Sequence, residues 1–123
     1  MKLMRVYNDA DGESHIDDIE IDMEPDGSGR VSPLWAVQGV IFREIRPGGS
    51  ADWHPAPLRQ LAVNLSGEAE IQVSDGTKRR VGPGQLFLVE DLIGKGHLNT
   101  WLDDEVHEFI FMPLQDQSES TSH

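Results

Sequence analysis

The chain has 123 residues, a length that fits one domain whose hydrophobic core can support folding without disulfides or a structural metal. It contains no cysteine, which excludes disulfide staples, thiolate metal sites and cysteine nucleophiles, so a metal would have to use histidine, carboxylate or amide ligands. With 22 acidic against 10 basic residues the formal charge is −12, which opposes phosphate backbones and anionic lipid surfaces and argues against nucleic acid or membrane partners.

The opening MKLMRVYNDADG lacks the continuous apolar segment of a signal peptide, and no apolar run reaches membrane-spanning length, so a soluble cytoplasmic protein is expected. No stretch shows a sustained helical period between caps, whereas short alternating runs recur between turn signals; the fold is predicted to be all-β. Strands are expected at 4–7, 16–23, 34–46 in one or two pieces, 59–65, 68–74, 77–81, 85–90, 97–101 and 106–114. Their number and spacing suit a sandwich or a small closed barrel. Between them EPDGSG (24–29), RPGGS (46–50), SG (66–67), DG (75–76), GPG (82–84) and GKG (94–96) read as turns, where glycine provides positive φ and Pro or Asp starts the bend. The tail QDQSESTSH (115–123), which includes His123, has no apolar residue to offset its ordering entropy and is expected to be disordered. That leaves 1–114 as the domain, with 1–33 as N-terminal strands and arm and 34–114 as the barrel.

Early in the chain Asp9, Asp11, Glu13, His15, Asp17 and Glu20 have the spacing of a twelve-residue calcium loop, but Ser14 stands where the sharp turn needs glycine. An acidic, solvated turn accounts better for them. His15 reaches a pocket only if this strand folds over the barrel mouth.

A two-residue hairpin at Ser66-Gly67 would set Asn64 opposite Ala69, Ala62 opposite Ile71 and Gln60 opposite Val73. One face then carries Gln60, Ala62, Asn64, Ala69, Ile71 and Val73, a mixture of amides and small or branched apolar groups that suits a cavity wall. The other carries Leu61, Val63 and Leu65, an aliphatic stripe to be covered by the N-terminal strands or by a second subunit, which makes a homodimer the expected assembly. A two-residue turn at Asp75-Gly76 would aim Lys78 and Arg80 into the cavity, so a bulge or three-residue loop is expected there.

From Gly48 through His54, Ala56, Gln60 and Gly67, and again at Gly94 and His97, the chain resembles the small cupins. Their first motif is Gly, five residues, His, one residue, His, three or four residues, Glu, six residues, Gly; their second ends in Gly, two residues, His. Ala56 replaces the second His and Gln60 the Glu. In the second motif Leu92 replaces a proline, Trp101 takes an asparagine position with Asn99 nearby, and Gly84 lies two residues too far upstream. The resemblance, from about Val40 to Leu114, implies a jelly-roll or double-stranded β-helix barrel. It also implies a divalent metal (Fe, Mn, Ni or Zn) on His54, Gln60 and His97, with Glu90, Asp91 or Asp52 as the substitute carboxylate and Asp91 the one chosen. Fold alone does not select a function.

Three functions follow. The first is binding of a small polar or carboxylate-bearing metabolite by His54, Gln60, Asn64, His97, Asn99 and Trp101, with the loop from Glu90 to Lys95 as rim. The alternatives are a metal-dependent enzyme of dioxygenase or isomerase type, and a structural or partner-binding barrel using the stripe of Leu61, Val63 and Leu65. Arg59 should face away from Gln60 by alternation, Trp35 and Trp53 are expected in the core or at the rim, and His107 is expected to be packed. No phosphate-cradling loop or serine nucleophile elbow is present.

Overall fold

Alternation along each strand decides the layers of this protein, seen here in a computed structural model that describes residues 1–48 and 51–118. The strands are β1 (Lys2–Asn8), β2 (Ser14–Glu20), β3 (Glu24–Asp26), β4 (Gly29–Val31), β5 (Ile41–Ile45), β6 (Ala51–His54), β7 (Gln60–Ser66), β8 (Ala69–Val73), β9 (Lys78–Val81), β10 (Leu86–Val89), β11 (His97–Trp101) and β12 (His107–Pro113). They form a six-stranded sheet in the order β2-β1-β10-β7-β12-β5, a four-stranded sheet in the order β6-β11-β8-β9, and the hairpin β3-β4. The fold is all-β, with two main sheets, as expected. Among the described residues there is no helix long and apolar enough to cross a membrane.

Both sheets turn apolar residues toward one interior, where Met4, Val6, Ala62, Ile71, Val73, Phe87, Val89 and Phe109 pack together. The six-stranded sheet is apolar on its other face too, where Leu3, Ile19, Leu61, Leu88 and Leu114 form a second cluster. Two apolar faces explain why β10 reads Leu-Phe-Leu-Val without alternation.

The Ser66-Gly67 segment is a corner, which corrects the hairpin expectation. β7 pairs with β10 and β12, whereas β8 pairs with β11 and β9, so the chain leaves one sheet and enters the other. The expected faces nevertheless hold, with Ala62, Asn64, Ala69, Ile71 and Val73 buried, because each strand keeps its own alternation on either side of the corner. The turn at 74–76 has three residues, with Val73 N bonded to Thr77 O, and so Lys78 and Arg80 share the side of Gln72 and Glu70.

The aliphatic stripe is covered only in part, and not by the N-terminal strands, which extend the sheet edge to edge. Trp35 and Val37 lie against the cluster that holds Leu61, pinned by a bridge from Val37 to Leu114. Leu65 stays 47% exposed. Residues 34–40 therefore form a covering segment where a strand was expected. In the tail, Gln117 donates to Arg59 O at 2.8 Å and Leu114 O at 2.7 Å and accepts from Arg59 N at 2.8 Å. Residues 119–123, with His123, lie outside the described residues.

The acidic N-terminal segment forms the β1–β2 turn, and His15 bridges Asp9 through Nε2 (2.7 Å) and Asp75 through Nδ1 (2.6 Å). It thus clamps the turn to the β8–β9 loop and does not enter the cavity. The Asp9 bond holds the imidazole pKa above its ordinary 6.5, against the opposing effect of burial and with help from Asp75. The His15 bond likewise holds Asp9 below the usual 3.8. For Asp75 burial is the largest effect and pushes upward, but bonds from Thr77 and His15 outweigh it. A raised histidine contributes stability below its unfolded pKa that disappears as pH rises through the folded value; the lowered carboxylates lose theirs only in acid. The melting-temperature deficit of His15→Ala should therefore be larger at pH 5.5 than at pH 9, and an equal deficit at both would remove the clamp from the account.

Candidate functional site

His54 and His97 are register partners on the neighbouring strands β6 and β11, their ring centroids 4.7 Å apart and their planes at 57°. Gly96 permits this approach: its φ is +79°, and a Cβ there would collide with the His54 carbonyl. His54 Nδ1 lies 2.7 Å from Asp52 O. A carbonyl only accepts, so this nitrogen carries the proton, and Nε2 of the neutral ring carries the lone pair.

His97 is held differently, with Nδ1 2.8 Å from Asp91 Oδ2. The same oxygen accepts from Ser14 Oγ at 3.3 Å. Asp91 is 0% exposed, and its Oδ1 has no hydrogen-bond partner among the described residues. With Nδ1 committed to Asp91, the Nε2 edge is what His97 offers to the cavity it lines.

That cavity, about 580 Å³, lies between the two sheets and is walled by apolar groups such as Ile71, Val89, Phe109 and Phe111. Its polar lining comprises His54, Gln60, His97, Asn99 and Arg43. Trp101 also borders it, its ring packed at a tilt against His107 (5.0 Å, 44°) and Phe109 (5.7 Å, 57°). Arg43, on the edge strand β5, has no ion-pair partner among the described residues and escaped the sequence analysis. Its signal was the alternation Ile41, Arg43, Ile45, which puts the arginine on the side that faces the cavity.

Asn64 does not line the cavity, although alternation turns it inward. Its Nδ2 donates to Gly67 O (2.8 Å) and Val81 O (3.0 Å), and its Oδ1 accepts from Ser66 N (3.1 Å). The amide is consumed by backbone groups that the sheet-to-sheet corner leaves without ladder partners. Asp91 sits behind His97, Glu90 pairs with Arg59 Nε at 2.7 Å, and Asp52 Oδ1 accepts from Trp53 N at 2.8 Å. Arg59 faces away from the cavity, as alternation implied. His107 is fully buried, with Nε2 2.9 Å from Asp103 Oδ1. Trp35 belongs to the outer cluster, and Trp53 lies at the rim under Lys95 Nζ, 3.9 Å from its centroid. Of the expected rim loop, Ile93 to Lys95 are exposed, whereas Glu90 and Asp91 are buried.

The donor set does not fit the resident metal that the resemblance implies. Ala56, 4% exposed, fills the place of an imidazole; Gln60 offers a neutral amide in place of a carboxylate; and Asp91 bonds the far nitrogen of His97. Among the described residues no three His, Asp or Glu side chains gather to hold an ion. Two imidazoles and an amide provide two strong donors and no negative charge.

No protein-family model matches the chain, and no curated protein matches it. Among solved structures it is similar to the conserved SPY1581 protein of unknown function from Streptococcus pyogenes, at 20% identity over 72% of this chain and 74% of that one, TM-score 0.47. Protein NMB1881 from Neisseria meningitidis is 13% identical over 69% of this chain and 89% of that one, TM-score 0.44. A putative ethanolamine utilization protein Q from Salmonella typhimurium is 13% identical over 93% and 95%, TM-score 0.35. None of these assigns an activity to this chain.

Placing Asn64 at the corner has a measurable consequence. Asn64→Ala strands three backbone partners and should lower stability by about 3 kcal/mol in urea unfolding. Ligand affinity of the remaining folded protein should not change; a loss below about 1 kcal/mol would contradict the structural role.

Proposed function

We propose that the cavity binds a small carboxylate-bearing metabolite. The observation that carries this is Arg43: in a chain of formal charge −12, it is the cation lining the cavity, and no acidic side chain of the described residues pairs with it. An anion at the mouth would supply the missing partner, and a guanidinium presents its donors in the fork that a carboxylate fits. The volume is that of a small-molecule site. Inside, Gln60 and Asn99 offer amides, the two histidines offer their Nε2 edges, and the aromatic and branched wall excludes water. The metal-dependent alternative lacks a donor set that fits it.

Calorimetric titration with short monocarboxylates, dicarboxylates and 2-oxo acids tests this. At least one should bind, with Arg43→Ala weakening it at least about tenfold and Arg43→Lys retaining part of the affinity. Absence of binding across the panel, or binding indifferent to Arg43→Ala, would sink it.

A specific observation also favours assembly, at a place other than the aliphatic stripe. β5 is one edge of the six-stranded sheet and presents Phe42, 77% exposed, next in sequence to Ile41, 52% exposed. We assign this edge to a second copy of the chain, because an open strand edge with large apolar side chains can pair with its own symmetry mate. Light scattering should then give a dimer for the native chain and a monomer for Phe42→Asp; a monomeric native chain would refute it.

A further inference from the structure

We infer that the Asp91–His97 pair is a general base acting at carbon, so that the cavity isomerises its ligand by moving a proton next to a carbonyl group. This rests on the carboxylate-binding reading above, and it extends the mismatch with a resident metal into a chemistry of its own.

Asp91 Oδ2 accepts from both Ser14 Oγ and His97 Nδ1, while Oδ1 is shut away from solvent without a partner among the described residues. A strut between two donors needs only a neutral oxygen, which asparagine supplies. A buried carboxylate with an idle oxygen is costly unless a positive charge forms against it. Of the two groups it touches, serine stays neutral and His97 can become an imidazolium. The geometry fixes where a proton can be taken up, since Nδ1 is already committed to the carboxylate and Nε2 is the edge left toward the cavity that His97 lines.

The neighbouring groups complete the chemistry. Arg43 would hold the ligand carboxylate, and the Gln60 and Asn99 amides line the same cavity as donors for a developing enolate oxygen. In the step itself, Nε2 takes a proton from the carbon beside the carbonyl, the C–H electron pair becomes the carbon–carbon double bond, and the carbonyl pair moves onto oxygen. Return of the proton to the opposite face of that carbon inverts it; where that carbon bears a hydroxyl, the hydroxyl proton passes to the enolate oxygen, Nε2 returns its proton to the former carbonyl carbon, and the carbonyl is relocated to the hydroxyl-bearing carbon. Nothing is oxidised or reduced overall, and no co-substrate is required. Asp91 acts through His97 as a positioning residue.

The test uses the full chain in deuterium oxide with 2-oxobutyrate and 2-oxoglutarate, following loss of the C3 proton signals by NMR while calorimetry measures affinity in parallel. The native protein should accelerate exchange of a bound acid at least about a hundredfold over buffer. Compared at acid concentrations that saturate each variant, His97→Gln should return exchange to the buffer rate, and Asp91→Asn should slow it at least about tenfold. A far-downfield His97 ring proton should also be lost in Asp91→Asn. Binding of either acid without accelerated exchange overturns the inference and leaves the binding reading standing. Binding of neither acid also overturns the inference, while the binding reading stands or falls on the full panel. Should Asp91→Asn fail to fold, His97→Gln decides, because it leaves the carboxylate in place: exchange at the native rate in that variant refutes the base.

Discussion

The buried carboxylate of Asp91 joins three parts of the chain that the sheets alone would leave separate. Its side chain accepts from Ser14 at the start of β2 and from His97 at the start of β11, and its backbone oxygen accepts from Ala56 N just beyond β6. The N-terminal arm, the loop into β11 and the strand carrying His54 are thereby referred to one residue. Because a buried charge is expensive to leave unsatisfied, this junction tolerates little displacement, and the orientation of His97 inherits that rigidity.

The same junction makes the barrel asymmetric. On the β2 side the two sheets are tied together: Arg79 pairs with Asp18 at 2.7 Å, His15 spans Asp9 and Asp75, and Ser14 N donates to Ser74 Oγ at 2.7 Å. The opposite side is bounded by the edge strands β5 and β6, which supply Arg43 and His54 to the cavity. Polar ties close one side, while the edge strands on the other side turn polar side chains toward the cavity. The second-copy assignment for β5 lies next to that mouth, so assembly would influence access to the cavity.

What the sequence revealed, it revealed through alternation, and the failures share a cause. Period-two patterning placed Gln60, Ala62, Ile71 and Val73 on the inner face even though the hairpin used to derive that face does not exist, because alternation belongs to each strand while pairing belongs to the whole sheet. The cupin motif positions of His54 and His97 lead to neighbouring register positions in space. Asn64 was misplaced because inward direction does not tell whether an amide meets a ligand or a stranded backbone group. The hairpin β3–β4 passed for a plain turn, its two three-residue arms flanking the Gly27 bend. β6 was overlooked because Pro55 cuts its signal short immediately after His54. Arg43 was legible in principle, from its place between Ile41 and Ile45, but nothing local distinguishes a cavity-facing arginine from a solvated one.

The position of one negative charge separates the two chemistries open to such a barrel. A carboxylate in front of the histidines, beside their Nε2 atoms, would neutralise a divalent ion held there. Here the motif position offers the neutral Gln60, and the carboxylate stands on the Nδ1 side of His97. From that side it cannot share an ion with Nε2 but can stabilise a proton taken up there, since the charge it faces is that of the imidazole ring itself. Restoring His at Ala56 and Glu at Gln60 would return donors to the front while leaving Asp91 behind, and the two substitutions together would convert a site with two strong donors into one with four. The small, buried Ala56 is the obstacle to that conversion, because an imidazole in its place must displace part of the apolar wall it packs against.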